Sequence, residues 1–241
     1  MLSLQSRELL QFLSKAPDLE EERAQRRWIC EINQYRAITS VNKLASHPNL
    51  QAFQKIRTSQ SRSLSGCPKA NINFLLAHKV ISLWMRKDHI LDASALIKLN
   101  NTLTGQCHKT FRTIPIFTAL VRHIDPQDLK QIMDQFFSRL ASEKSSKEPL
   151  YQAFLYRYWL LSIHPFCEAN GRTSQLVADY ILLKNGYLPQ AFLSPLDIAL
   201  IGHPTARSYM TPHEAFRRFL ATIKNAYRFF DGSYSSSVSK R

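Results

Sequence analysis

Nine consecutive residues, His164-Pro165-Phe166-Cys167-Glu168-Ala169-Asn170-Gly171-Arg172, hold most of the chemistry legible in this chain. His164 is the only group among them with a pKa near neutrality, which makes it the candidate general base. Glu168 is a hard oxygen ligand, suited to a magnesium ion that bridges phosphates. Gly171 lets the backbone approach a phosphate closely or take a positive φ. Asn170 tolerates the left-handed region and can bond the loop to itself. Arg172 can grip phosphate oxygens through two parallel hydrogen bonds. Phe166 is the apolar peg that would fix the loop to a core. A base, a metal ligand, an anion nest and an arginine are what phosphoryl or nucleotidyl transfer to a hydroxyl needs.

The flanking pattern says what must position these groups. Residues 150–163 are apolar on most sides and read as the central helix of a core, ending at His164-Pro165. A second helix follows the loop and runs to Lys184, where Asn185-Gly186 is a stop signal. The start of such a helix presents unpaired N–H groups and the positive end of its dipole, a ready anion site. Asp125-Pro126 starts another helix. Its apolar face is Leu129, Ile132, Met133, Phe136, Phe137 and Leu140. Asp92 caps a helix reaching Leu103, and apolar residues cluster over 72–85. Residues 18–37 read as a helix with Trp28, Ile29, Ile32 and Tyr35 as its stripe.

His47-Pro48 precedes a short helix to about residue 56, and residues 57–69 and 142–149 read as loops. Residues 105–117 break the helical pattern and fit a short extended hairpin. Ser194-Pro195 marks one more helix start, and Thr211 with Glu214 forms a capping box before a last helix to about residue 230. The expected organisation is a helical extension over 1–90 packed on the core, and a core with the short extended hairpin and the nine-residue loop over 91–190. Helices over 191–230 complete the domain, and a disordered tail covers 231–241.

Composition narrows the function. The chain has 241 residues, 44% hydrophobic and 21% charged, ordinary for a globular protein. A net charge of +14 points to an anionic partner. Six glycines form neither G-x-G-x-x-G nor G-x-x-x-x-G-K-[ST], which excludes a Rossmann site and a P-loop. No nucleic-acid reader motif accompanies the charge, so no specific nucleic acid is expected. Cys30, Cys67, Cys107 and Cys167 form no C-x-x-C pair and read as reduced, mostly buried thiols. His78, His89, His108, His123, His203 and His213 show no paired metal spacing and read as surface or satisfied core residues. The basic clusters Arg23/Arg26/Arg27 and Arg217/Arg218/Lys224/Arg228 read as solvated helix faces or docking surfaces. The N-terminus lacks the pattern of a Sec signal, and no transmembrane run of about 18 apolar residues occurs. The expected location is cytoplasmic, or another cell's cytoplasm after export without a Sec signal.

The nine-residue loop resembles the signature of the Fic family, H-P-F-x-[DE]-[GA]-N-G-R, matching its six fixed residues and its acidic position. The resemblance implies an all-α, Fic-type helical bundle with a small β-hairpin flap before the catalytic loop. Residues 105–117 resemble that flap, in the style of G-x-x-R-x-x-x-V/I. Thr110, Phe111, Arg112, Thr113 and Ile114 would then hold a target peptide by strand addition. The family mostly moves AMP from ATP to a Ser, Thr or Tyr hydroxyl of a target protein. Carried over, His164 would deprotonate the hydroxyl and Glu168 would hold Mg2+ on the α- and β-phosphates. Ala169, Asn170 and Gly171 would shape the anion nest. Arg172 would bind the outer phosphates and stabilise charge on the leaving pyrophosphate.

Two positions depart from the commonest family form. Ala169 replaces a glycine. Gln175 stands where many members have a second arginine that contacts the terminal phosphate, and glutamine carries no charge. Other donors, giving UMP or phosphocholine transfer, are the alternative reading. The family's inhibitory helix, [ST]-x-x-x-E-[GN], finds no counterpart: the residue four before each glutamate is never Ser or Thr. The resemblance therefore implies an enzyme without that internal brake, with a separate inhibitory partner as another source of control. Its target would present a hydroxyl on a surface that is acidic if the +14 charge guides docking. Two readings of another class are a basic nucleic-acid binder and an inactive Fic scaffold.

Overall fold

A computed structural model describes residues 7, 23–38, 68–118, 121–142, 148–191 and 211–230. The short helix ending near residue 56, the loop over 57–67, the Ser194-Pro195 start, and the tail lie outside the described residues. Seven helices and one pair of short strands make up the described residues outside the loops. They are α1 (Arg23–Ile38), α2 (Pro68–Arg86), α3 (Ala93–Thr104), β1 (Phe117–Thr118), β2 (Val121–Arg122), α4 (Pro126–Ser142), α5 (Pro149–Ile163), α6 (Asn170–Lys184) and α7 (Pro212–Phe230).

The sequence-level stop and start signals act as physical caps. Asp92 accepts from the Ala95 N–H at 2.8 Å and opens α3, and Gly105 closes it at φ 73°. Asp125 accepts from the Gln127 N–H at 3.0 Å before Pro126. Thr211 accepts from the Glu214 N–H at 3.2 Å. The Glu214 carboxylate turns to Arg217 and Arg218 instead of completing the box. At the far end of the expected loop over 57–69, α2 already begins at Pro68, a favourable first helical residue.

Eleven of the fifteen residues of α5 are buried, which makes it the centre of the bundle. It packs mainly on α6; α2 lies across α3 and α6, and α7 packs on α1 and α5. Trp159, Tyr156, Phe154, Phe216 and Phe219 fill the middle. On α4 the expected stripe is buried at Leu129, Ile132, Met133 and Phe136. Inside the core, Arg157 of α5 donates to Gln190, whose N–H donates to Asp179 of α6 at 3.1 Å. Burial pushes the Arg157 guanidinium down to about 10, against the pull of Asp179.

The extended element differs from expectation. Residues 105–116 form no strand; β1 and β2 pair antiparallel with Phe117 opposite Arg122 and Thr118 opposite Val121. Pro115 lacks a donor N–H, so strand pairing starts only beyond it. The cysteines also differ: Cys30, Cys107 and Cys167 are exposed rather than buried, lying on the outer side of α1 and in loops. Among the described residues no helix is long and apolar enough to cross a membrane.

Two outcomes test this packing. Leu160, 1% exposed on α5, should cost about 2–5 kcal/mol when changed to Ala, read by chemical denaturation. A hydrogen bond from Lys224 of α7 first, and then burial in opposition with the charges of Lys224, Arg27 and Arg228, leave the Glu31 carboxyl of α1 below its ordinary range. A lowered carboxyl contributes stability above its unfolded value and loses it as pH falls through the folded one. The Tm difference between wild type and Lys224→Met should therefore shrink as pH drops below about 4.5.

Candidate active site

The turn from α5 to α6 is made by two non-glycine residues in left-handed backbone. His164 has φ 55° and ψ 60° and its N–H still reaches the Leu160 carbonyl at 2.9 Å. Ala169 has φ 58° and ψ 17° and precedes the first residue of α6. Each such residue costs about 1–2 kcal/mol. Between them the Phe166 N–H donates to Asn170 Oδ1 at 2.9 Å, and Asn170 Nδ2 donates back to the Phe166 carbonyl at 2.7 Å. Asn170 is only 4% exposed, so this reciprocal pair is shielded from water. The Thr173 N–H to the Ala169 carbonyl, 2.8 Å, is the first bond of the new helix.

Distant residues brace the loop. Asn100 of α3, fully buried, donates Nδ2 to the Glu168 carbonyl at 3.0 Å and approaches Thr173 Oγ1 at 3.1 Å. Arg112 is also buried. Its Nε donates to the His164 carbonyl at 2.7 Å, Nη1 to the Ile114 carbonyl at 2.9 Å, and Nη2 to the Ile124 carbonyl. The Arg112 N–H donates to the Pro165 carbonyl at 3.0 Å. Burial lowers the pKa of this guanidinium, while Cys167 and Asp125 oppose the shift. Phe166 does act as the peg, packing in the core with its ring 5.6 Å from that of Phe111.

The reactive groups then lie along one edge. His164 Nδ1 is 3.3 Å from the Leu161 carbonyl, which can only accept. Glu168 is exposed, and its Oε1 accepts from Gln106 Nε2 at 2.6 Å. Gln106 is in turn held by His108. A methyl group built on Gly171 meets no atom within 4 Å, so open space lies over the helix start. Helix geometry leaves the N–H groups of Asn170, Gly171 and Arg172 without intrahelical acceptors. Arg172 is half-buried; burial lowers its pKa, and the nearby Glu168 charge opposes this. Gln175 is half-buried about one turn further along α6.

The structure brings His164, Glu168, Ala169, Asn170, Gly171, Arg172 and Gln175 together, since all lie on the loop and the first turns of α6. It divides the five flap residues. Thr110, Thr113 and Ile114 are exposed, whereas Phe111 is half-buried and Arg112 is buried. Arg112 was expected on the target-binding surface; its guanidinium is instead committed to the carbonyls that shape the loop. Two neighbours of the site were not identified from sequence. Asn100 sits mid-helix with no motif around it. His123, expected as an ordinary histidine, is buried with its ring stacked on that of His164, centroids 4.0 Å apart and planes at 17°. A groove of about 880 Å³ opens between α2, α3 and the loop after α3, lined by Leu76, Lys98, Asn101, Gln106 and Lys109 among others. It shares Gln106 with the Glu168 contact.

Two buried helices are thus joined by a bonded loop that carries a half-buried histidine ahead of an open helix start. Residues 90–182 match the model of the Fic/DOC family. Two proteins named protein adenylyltransferase Fic, from Drosophila grimshawi and Drosophila melanogaster, are 45% identical over 65 residues. That match covers 27% of this chain and 14% and 13% of theirs, so the chain spans about one seventh of the length of the curated relatives it matches. Among solved structures, an IbpAFic2 variant in complex with adenylylated Cdc42 has TM-score 0.64 at 16% identity, covering 92% of this chain and 76% of that one. A Fic-domain signalling protein from Bacteroides thetaiotaomicron has TM-score 0.53 at 17% identity, covering 95% and 97%. Fic-1 from C. elegans has TM-score 0.56 at 15% identity, covering 95% and 71%. At these identities the structures establish the shared fold.

The backbone at Ala169 generates a prediction. Glycine takes φ 58° without the steric penalty that alanine meets there. Ala169→Gly should therefore stabilise the protein by about 1 kcal/mol, the left-handed relief less the entropy glycine adds to the unfolded chain. Thermal and denaturant unfolding read it, and a loss of stability would contradict the strain.

Proposed function

We propose that this chain is a Fic-type transferase that moves AMP from ATP to a Ser, Thr or Tyr hydroxyl of a target protein. The observation that carries the reading is the open start of α6 over Gly171, flanked by Arg172, with Glu168 and the His164 imidazole on the same loop. The relatives named adenylyltransferase support AMP as the transferred group.

His164 Nε2 takes the proton of the acceptor hydroxyl as its oxygen attacks the α-phosphorus of the donor. The new bond is O–P, the bond from that phosphorus to the bridging oxygen breaks, and pyrophosphate leaves with its electron pair. The N–H groups of Asn170 and Gly171 and the guanidinium of Arg172 meet the charge gathering on the leaving oxygens. Magnesium fits the residues present: the ion is usually held by one or two carboxylates plus phosphates and water, and Glu168 supplies an exposed carboxylate. Among the described residues no three His, Cys, Asp or Glu side chains gather as a metal site, so phosphate and water would complete its shell. When bound, Mg2+ would neutralise charge on the α- and β-phosphates. Thr113 and Ile114 are exposed where a target segment would dock, and a +14 charge favours an acidic target surface.

Gln175 supports a second reading. A neutral amide one turn beyond Arg172 gives less hold on a terminal phosphate than an arginine. That favours a donor without a terminal γ-phosphate, as in phosphocholine transfer; UMP transfer is the other alternative donor reading. The test is a panel of labelled ATP, UTP, GTP, CTP and CDP-choline with Mg2+ and cell lysate. Labelling from ATP that falls at least about a hundredfold in His164→Ala, with its fold intact by circular dichroism, is the expected result. Labelling from UTP or CDP-choline alone would replace AMP with the second reading, and labelling from none would overturn the transferase.

A further inference from the structure

We propose that Gln106 is a positioning residue for Glu168: its side-chain amide holds one carboxylate oxygen and leaves the other for the divalent cation of a bound donor. Gln106 lies 62 residues before Glu168 and reaches it from the turn that follows α3. Several bonds hold that turn in shape. Gly105 takes φ 73° and donates its N–H to the Asn101 carbonyl at 2.8 Å. The Gln106 N–H donates to Thr104 Oγ1 at 3.2 Å. Asn101 pairs with both backbone groups of His108, accepting its N–H at 2.9 Å and donating Nδ2 to its carbonyl at 2.8 Å. The His108 ring meets the Gln106 amide oxygen, so the amide is held at its oxygen end as well as at its nitrogen end.

Glu168 is therefore fixed at backbone and head from one helix end. Asn100 donates to its carbonyl at 3.0 Å, and the next residue, Asn101, carries the turn from which Gln106 donates to Oε1 at 2.6 Å. Among the described residues no hydrogen bond reaches Oε2. An exposed glutamate loses torsional freedom when it binds an ion, and a hydrogen bond made beforehand removes part of that cost. The residue type matters as well. Glutamine donates without charge, so it orients the carboxylate and leaves its attraction for a cation intact, whereas a lysine or arginine would compete with the ion. Magnesium is held by one or two carboxylates with phosphate and water, so a single free oxygen suffices. Carboxylate ligands are themselves hydrogen-bonded by such outer partners, whose loss typically costs about 10–100-fold in metal affinity or activity.

The cation role of Glu168 rests on the transferase reading above; the contact with Gln106 does not. The first readout therefore uses no donor. Side-chain amide signals of Gln106 in the nitrogen-15-labelled full chain, compared in wild type and Glu168→Ala, report the contact. The expected result is a shifted amide proton in wild type that returns toward the free-amide position in the variant. The second readout uses Mn2+ as the probe, complexed with ATP, UTP and CDP-choline in turn, with affinity read from paramagnetic broadening of the amides at the start of α6. Gln106→Met keeps the length of the side chain and removes its donor. It should weaken the complex that wild type binds best at least about tenfold, while the same donor in EDTA, followed by amide shifts, binds as in wild type. A general disturbance of the site would weaken both. Equal or tighter binding of the Mn2+ complex in Gln106→Met, folded by thermal melting, would overturn the proposal, as would Gln106 signals that are identical with and without the Glu168 carboxylate. A Gln106 signal that depends on Glu168, in a protein that binds none of the three complexes, would leave the contact standing and remove the transferase reading and the cation role with it.

Discussion

Asn170 and the backbone of Phe166 hold the site in shape. The chain leaves α5 at Ile163 and begins α6 at Asn170 with six residues between them. In that span it must turn back, bury Phe166 and keep Glu168 at the surface. Both polar backbone groups of the buried Phe166 are paired with one amide side chain, in two bonds of 2.9 and 2.7 Å. Leaving either unpaired would cost about 1–3 kcal/mol. The same amide fixes where the first turn of α6 starts, and hence where its N–H groups point. His164, Glu168 and the start of α6 are therefore coupled through one buried amide side chain.

The rest of the bundle serves this turn. The burial of α5 on nearly all sides gives its C-terminal end a rigid direction. From α3, Asn100 reaches the Glu168 carbonyl, so the carboxylate is carried on backbone that is itself held from below. From the segment before β1, Arg112 reaches the His164 carbonyl. A buried guanidinium is costly unless its donors find acceptors, and here three backbone carbonyls take them. That arrangement converts a flexible crossing segment into part of the site wall and brings His123 over His164.

Legibility in the sequence divided along the distance of the interaction. Caps such as Asp92, Asp125 and Thr211 act within three residues, so types and spacing sufficed to place helix starts. The loop over 164–172 was legible as a unit because its parts are contiguous, and it lies within the residues that match the Fic/DOC family model. Asn100, Arg112 and His123 were not, because each owes its role to contacts more than 40 residues away, which no local pattern encodes. Arg112 was misplaced for the same reason: a basic residue in an extended, polar stretch reads as surface, and only tertiary structure supplies the carbonyls that draw it inward. The hairpin was placed too early because alternation in 105–117 outweighed Pro115. Ala169 was legible only as a replacement for glycine; the backbone shows that the position takes φ 58°.

The charge excess takes on a narrower meaning at the site. Arg112 is committed to backbone carbonyls, and Arg172 lies half-buried beside Glu168. The central claim is that donor phosphates sit on the start of α6. Amide chemical shifts of the nitrogen-15-labelled full chain, titrated in turn with Mg2+ complexes of ATP, UTP and CDP-choline, test it most directly. The account predicts that one of them moves the amides of Asn170, Gly171 and Arg172 most, and that Arg172→Ala weakens this binding at least about tenfold. Shifts centred on the groove at Lys98 and Lys109, with the α6 amides unmoved, would contradict it.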